Sequence, residues 1–454
     1  MNGKSIFKLD LKEKIGYALG DTAANIAWRT LTTFLLVFYT DVFGITAAAA
    51  GVLLLITRLS DGVSDVAMGM IADRTHTKNG KFRPWILWTA FPLGIILSLT
   101  FTTPDFSPTG KLIYAYVTYI LLTLIYTANN VPYSALMGVM TPNDQERTSL
   151  SSFRFAGAYL GGIITQGLLI YLVLFLGNGD ENKGYQYSIY LLSAMLTGFL
   201  LITYFTTKER VQPPKEQSTS VWSDLGDLIK NRPWVILLIV GFLFVTYNSI
   251  KQGITVIYFK RYINQELLAA SYMVVLLVVS MIAALITTPL ANKFGKKNLF
   301  IYVMLFSAVT NGLLYFAAND DLILIYVLGT LSEFGAGIMP VLFFSMLGDA
   351  ADYSEWKNNR RATGLVFSAG TFAMKFGGGV AGAIIGFVLS ARGYDGMAET
   401  ITAEAVTGVK MLMSWIPALI AIPTVAALIF YPLSKEKLGE IIAVLQERRA
   451  RQQA

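Results

Sequence analysis

Twelve apolar stretches, each long enough to cross a bilayer, follow one another along 454 residues with short charged gaps between them. They lie near residues 16–41, 47–72, 84–103, 111–139, 150–176, 185–207, 233–259, 268–291, 298–317, 322–350, 362–389 and 410–431. Few folds are open to such a chain. In hydrocarbon every backbone N–H and C=O must be paired internally, and a continuous run of about 20 residues does so as a helix. The expected fold class is an all-α membrane protein with twelve transmembrane helices. Composition agrees: 14% of residues are charged, against roughly a quarter in ordinary soluble domains. Cys is absent and His76 is the sole histidine, so a disulfide framework, a zinc site and a haem site lack ligands, and no cofactor is expected. The formal charge of +7 is spread through the gaps instead of gathered on one soluble face, which argues against nucleic acid as a partner.

Those gaps also orient the chain. With a cytoplasmic N-terminus, 25 Lys and Arg residues fall on the cytoplasmic side and six (Lys111, Lys183, Lys260, Arg261, Arg392 and Lys410) outside. That bias predicts both termini inside. The opening residues MNGKSIFKLDLKEKIG lack the pattern of a cleavable signal. The one long hydrophilic connection, which carries Pro213–Pro214, divides the spans six and six. The expected organisation is a first six-helix bundle over 1–207, a cytoplasmic linker over 208–232, a second bundle over 233–431 and a cytoplasmic tail over 432–454. The halves echo each other: Pro132 to Asp144 has the spacing of Pro340 to Asp352, and a basic hairpin follows the second span of each half. Parallel six-span repeats suit a carrier whose two bundles rock about a central site.

Ionisable residues inside the spans are where function should reside, since each costs several kcal/mol against lipid, on the order of 3 by insertion scales. Asp61 and Asp65 lie one turn apart and so share a helix face. Two like charges this close raise one another's proton affinity unless a cation sits between them. Ser64 and Thr127 could add neutral oxygens, and the spacing leaves sodium and the proton both open. Asn25 and Arg29 descend one face of the first span below Asp21, Tyr126 and Asn130 stand ahead of the fourth-span proline Pro132, and Thr371 and Lys375 lie one turn apart in the eleventh. Amides, charges and aromatic rings are what a sugar requires, hydrogen bonds for its hydroxyls and an apolar face for its ring. Asp349 and Asp352, near a cytoplasmic helix end, are expected to form a gating network with Arg83, Arg147 and Arg361.

The segments KIGYALGDTAANIAW, FYTDVFGI, RLSDGVSDVAMGMIADRTHTKNGKFRPW, YTANNVPYSAL and GDAADYSEWKNNR resemble the glycoside–pentoside–hexuronide:cation symporters of the major facilitator superfamily, the family of melibiose permease. The likeness extends over nearly the whole chain up to Pro432. It implies a symporter that brings in a glycoside with sodium or a proton by alternating access, acting as a monomer in a bacterial inner membrane. It implies a cation role for Asp61, Asp65 and Thr127, with Ser64 where the family has an amide. It also implies sugar contacts at Asn25 and Asn130, each an acid in the family, at Arg154, and at Lys375 near both ligands. Ser134 replaces a tryptophan found in melibiose permease, which argues against melibiose itself. The two acid-to-amide changes leave Arg154, Lys375, Arg29 and Lys251 facing fewer carboxylates, and a hexuronide would restore the balance. A neutral pentoside or xyloside is the alternative substrate, and a lysolipid carrier on the same fold is the rival function. A membrane enzyme would need a nucleophile or metal constellation that His76 alone does not provide.

Overall fold

The computed structural model describes residues 9–141, 144–210, 230–358 and 363–453. All regular structure among them is helical. The first run starts as α1 (Leu11–Arg29) and continues to Phe43, with π-helical turns at Thr30–Phe34 and Phe38–Phe43. Then come α2 (Ala47–Arg74), α3 (Arg83–Thr100), α4 (Pro108–Met140), α5 (Asp144–Gly177) and α6 (Glu181–Thr206). The second half supplies α7 (Arg232–Tyr258), α8 (Leu267–Phe294), α9 (Lys296–Leu313), α10 (Leu322–Asn358) and α11 (Thr363–Ala391). It ends with α12 (Ala403–Met413), α13 (Trp415–Ile429) and the tail helix α14 (Lys435–Gln453). Among the described residues nine helices, not twelve, are long and apolar enough to cross a membrane: α4 to α11 and the α12–α13 run Ala403–Ile429.

Local chemistry sets the helix ends. Side chains of Thr46, Ser107, Asp180, Asn231 and Thr402 each accept a backbone N–H at the start of α2, α4, α6, α7 and α12. Glu209 caps α3 from a distance, its carboxylate accepting the N–H groups of Lys81, Phe82 and Arg83 at 2.7–2.9 Å. The predicted last span is broken. Pro417 has no N–H to give Met413, four residues back, and the helix parts at Ser414. The Asn311 amide on α9 fills the gap, donating to the Met413 and Ser414 carbonyls at 3.0 Å each.

The chain divides into two compact units. Of the described residues, the first holds those of Met1–Lys215, Gln265–Val274 and Gly393–Ile401, and the second those of Glu216–Asn264, Val275–Arg392 and Thr402–Ala454. In the first unit α1 packs on α5 and α6, and α3 lies against α4 and α6. The second unit repeats this order six helices later: α7 packs on α11 and α13, and α9 lies against α10 and α13. The repeat extends to atoms. Thr22 on α1 donates to the Gly157 carbonyl at 3.0 Å, and Thr246 on α7 donates to the Gly377 carbonyl at 3.1 Å. A Cβ at Gly157 would strike the Ala18 carbonyl, and one at Gly377 would strike that of Phe242, so glycine alone lets each helix pair approach so closely. The first and seventh runs also end alike, in a π-helical turn closed by a left-handed residue, Gly44 at φ 84° and Asn264 at φ 58°.

Candidate functional site

In the first unit α2 and α4 bring the expected cation residues together. Asp61 is 4% exposed and Asp65 partly exposed. The Thr127 hydroxyl on α4 donates to the Asp65 carboxylate at 3.1 Å. Ser64 turns back on its own helix, its hydroxyl donating to the Asp61 main-chain carbonyl at 3.0 Å. Asp61 lies ~21 Å along α2 from Ala47, at 1.5 Å per residue, which puts the acids deep in the helix. Among the described residues no group of three or more His, Asp or Glu side chains is placed to hold a metal ion. Two carboxylates on one face with a neutral hydroxyl can hold a small monovalent ion or share a proton.

A second polar group in the same unit joins α1, α4 and α5. Arg154 Nε lies 3.4 Å from Asp21 Oδ1, Arg154 also donates to the Ser134 hydroxyl at 3.2 Å, and its guanidinium stands 5.5 Å over the Tyr133 ring. Tyr133 in turn stacks on Tyr17 at 4.7 Å and donates to the Tyr17 carbonyl at 2.7 Å. Sequence reading had Arg154 waiting for an anion; its carboxylate is Asp21, 133 residues away in the chain. Around this group Asn25 donates to the Asp21 carbonyl at 2.9 Å, and Trp28 stacks on Tyr126 at 5.8 Å. Asn129 is bound to Thr89 on α3 at 2.7 Å, a packing role, while its neighbour Asn130 is only half-buried. Arg29 is half-buried one turn beyond Asn25.

The second unit holds Lys251, Thr371 and Lys375. Lys251 is enclosed: its ammonium donates to Ser332 at 2.8 Å, lies 3.5 Å from Glu333 and stands 5.3 Å over the Tyr247 ring. Glu333 also accepts the Ser280 hydroxyl at 2.6 Å. Thr371 and Lys375 are partly exposed on α11.

The expected gating residues are held within their own units. Arg83 donates to the Tyr204 carbonyl at 2.8 Å and covers that ring at 4.8 Å; Asp349 takes Lys296 on both oxygens at 2.7 Å. Asp352 is half-buried on α10, five residues before Lys357. Arg361 and the side chain of Arg147 lie outside the described residues. Charge reading missed the anchors beside them. Glu13 grips Arg210 through both oxygens at 2.7 and 2.9 Å, a bond that holds the guanidinium above its ordinary pKa. Lys14 pairs with Glu146 at 2.8 Å.

Comparison with known proteins accounts for this pattern. Residues 16–435 match the family described as MFS/sugar transport protein. The chain is 36% identical over 445 residues to the putative glycoside/cation symporter YagG of Escherichia coli (strain K12), covering 98% of this chain and 97% of that protein. It is 34% identical to the isoprimeverose transporter of Lactiplantibacillus pentosus (97% and 92% covered) and 29% identical to the glucuronide carrier protein homolog of Escherichia coli (strain K12) (98% of each). A bacterial homologue of the human lysosomal transporter Spinster, solved in an inward-facing, unoccupied conformation, shares the fold at TM-score 0.72 and 12% identity, with 94% of this chain and 97% of that one covered. The chain is a multi-spanning membrane transporter that belongs to the MFS/sugar transport protein family and, within it, to the glycoside–pentoside–hexuronide:cation symporters.

Proposed function

We propose that this symporter imports a neutral glycoside together with one monovalent cation, sodium or a proton, across a bacterial inner membrane. The observation that carries the substrate reading is a pair of matched charges. Arg154 lies on Asp21 and Lys251 on Glu333, so two of the cations that sequence reading held ready for a uronate already have a carboxylate. A hexuronide brought to them would have to displace a partner, whereas sugar hydroxyls can join the existing pairs as further donors and acceptors. The likeness to the isoprimeverose transporter supports this choice. A hexuronide is the second reading, favoured by the likeness to the glucuronide carrier protein homolog and by Lys375 on α11.

In this reading twelve spans form two six-helix bundles, 1–207 and 233–431, joined by the linker 208–232, with both termini cytoplasmic and the monomer as the working unit. The mirrored packing of α1 with α5 and α7 with α11 supports the two repeats. Asp61 and Asp65, with Thr127 and the Ser64 oxygen, hold the cation. Asn25, Arg29, Tyr126, Asn130, Arg154, Thr371 and Lys375 face the sugar, while Arg83, Arg147, Asp349, Asp352 and Arg361 form the cytoplasmic network. Cation binding relieves the repulsion between the α2 acids, and the coupling is reciprocal: sugar strengthens cation binding by the same factor. Rocking of the repeats then carries both ligands through. Proteoliposome uptake tests the reading, with sodium and pH gradients imposed separately and a xylosyl-glucose disaccharide offered beside a glucuronide. Accumulation of the neutral sugar under one gradient supports it; preferential accumulation of the glucuronide favours the second reading; uptake of neither glycoside under either gradient overturns both.

A further inference from the structure

The second unit brings together Lys251 and Glu333, ionisable residues that the sequence places inside two different spans. Lys251 lies ~18 Å along its helix from Ile263, Ser280 ~20 Å from Leu267 and Glu333 ~17 Å from Leu322, at 1.5 Å per residue. In the twelve-span reading proposed above, those three helix ends face the same side of the membrane, and half of a ~30 Å hydrocarbon core is about 15 Å. The three side chains therefore meet near the middle of the membrane, the depth at which carriers of this architecture hold their substrates.

The pair is asymmetric. Lys251 is sealed, with 6% of its side chain exposed, and its ammonium is met by the Ser332 hydroxyl, Glu333 and the Tyr247 ring. The Tyr247 hydroxyl is itself tied down, donating to the Ser307 carbonyl at 3.0 Å and sharing a 3.1 Å contact with Ser332. Glu333 has 22% of its side chain exposed, with one oxygen taking the Ser280 hydroxyl and the other turned to Lys251. A solute reaching this group meets the carboxylate first and the ammonium not at all. A carboxylate oxygen has more than one acceptor direction, so hydrogen bonds to Lys251 and Ser280 leave acceptor capacity for the hydroxyls of a ligand. An anionic sugar would meet the same oxygens and be repelled.

We propose that Glu333 is a specificity-determining residue that accepts hydroxyls of a neutral glycoside and disfavours a uronide, and that Lys251 is its positioning residue. This assigns Lys251 the opposite task from that of an anion receptor. The inference rests on the glycoside-symport reading and deepens it.

The competing role for the pair is to hold α7, α8 and α10 together as a buried ion pair. The two roles separate in Glu333→Gln, assayed in proteoliposomes with the xylosyl-glucose disaccharide as neutral probe and 4-nitrophenyl glucuronide as competitor. Loss of a charged hydrogen-bond acceptor is expected to raise the KM for the neutral sugar on the order of tenfold. The maximal rate and the dependence on the driving cation should change little, and the glucuronide should compete better than against wild type. Glu333→Asp, which keeps the charge, should recover part of the KM. Should Glu333→Gln fold poorly with Lys251 left unmatched, the double variant Lys251→Met/Glu333→Gln removes both charges. It is expected to regain wild-type thermal stability while keeping the raised KM. A folded Glu333→Gln or double variant with the wild-type KM and unchanged glucuronide competition would overturn the proposal and leave the pair a structural one. Failure of wild type to take up either glycoside would instead overturn the symport reading beneath it.

Discussion

Tyr394→Phe should loosen one end of the first unit by an amount that can be worked from its geometry. The Tyr394 hydroxyl donates to both oxygens of Asp41, at 2.9 and 3.0 Å, across 353 residues of sequence. Asp41 is buried at the end of the first helical run, and Thr40 donates to the same carboxylate at 2.7 Å. Gly396 packs so tightly on Thr40 and Asp41 that a Cβ there would collide with both. These contacts explain why Gly393–Ile401 counts with the first unit although both of its sequence neighbours, Arg392 and Thr402, belong to the second. A hydrogen bond to a charged group contributes about 1.5–3 kcal/mol. Its loss should raise the open population of the segment by roughly 10- to 150-fold, taking RT as about 0.6 kcal/mol. Hydrogen–deuterium exchange by mass spectrometry reads this directly. Peptides covering 393–401 and 38–44 should exchange faster by that factor in Tyr394→Phe, while α9 (Lys296–Leu313) should not change. Asp41→Asn keeps an acceptor but loses its charge, and should give a smaller increase. Unchanged exchange at 393–401, or an equal rise in α9, would refute the clasp.

Two further variants test the devices that shape the helices. Asn311→Leu removes the amide that serves the break between α12 and α13, stranding the Met413 carbonyl. It should cost about 1–3 kcal/mol and lower the Tm of the purified protein, whereas Asn311→Gln should cost less. Glu209→Ala strips three N–H groups at the start of α3 of their acceptor and should cost at least as much as loss of an ordinary helix cap, about 1–2 kcal/mol, read as a lower Tm and earlier proteolysis near residue 80.

Nine of the twelve expected spans correspond to long apolar helices among the described residues, and these were legible because a helix in hydrocarbon needs a long apolar run. Asp61 and Asp65 stood out for the complementary reason, as acids where acids are costly. Partners were not legible. Asp21 lies far from Arg154 in the chain, as Lys251 does from Glu333, and a count of cations against acids on matched positions made two satisfied residues look unmet. The break at Ser414 was within reach, since Pro417 must leave a carbonyl four residues earlier without a donor; the rescue by Asn311 was not, because it comes from another helix. The internal repeat was read from Pro132 and Pro340. Its firmer physical basis, Thr22 against Gly157 and Thr246 against Gly377, is hidden because each pair consists of two common residues. Tyr394 and Gly396, which help tie Gly393–Ile401 to the first unit, are common residue types in a loop and give no signal of that task in the sequence.

Coupling through the α2 acids is the central claim, and Asp61→Cys in a chain with no other cysteine tests it most directly. Sugar should still exchange down its gradient through this variant in proteoliposomes, while concentrative uptake driven by sodium or protons is lost. Uphill accumulation at the wild-type level would show that Asp61 does not hold the driving ion.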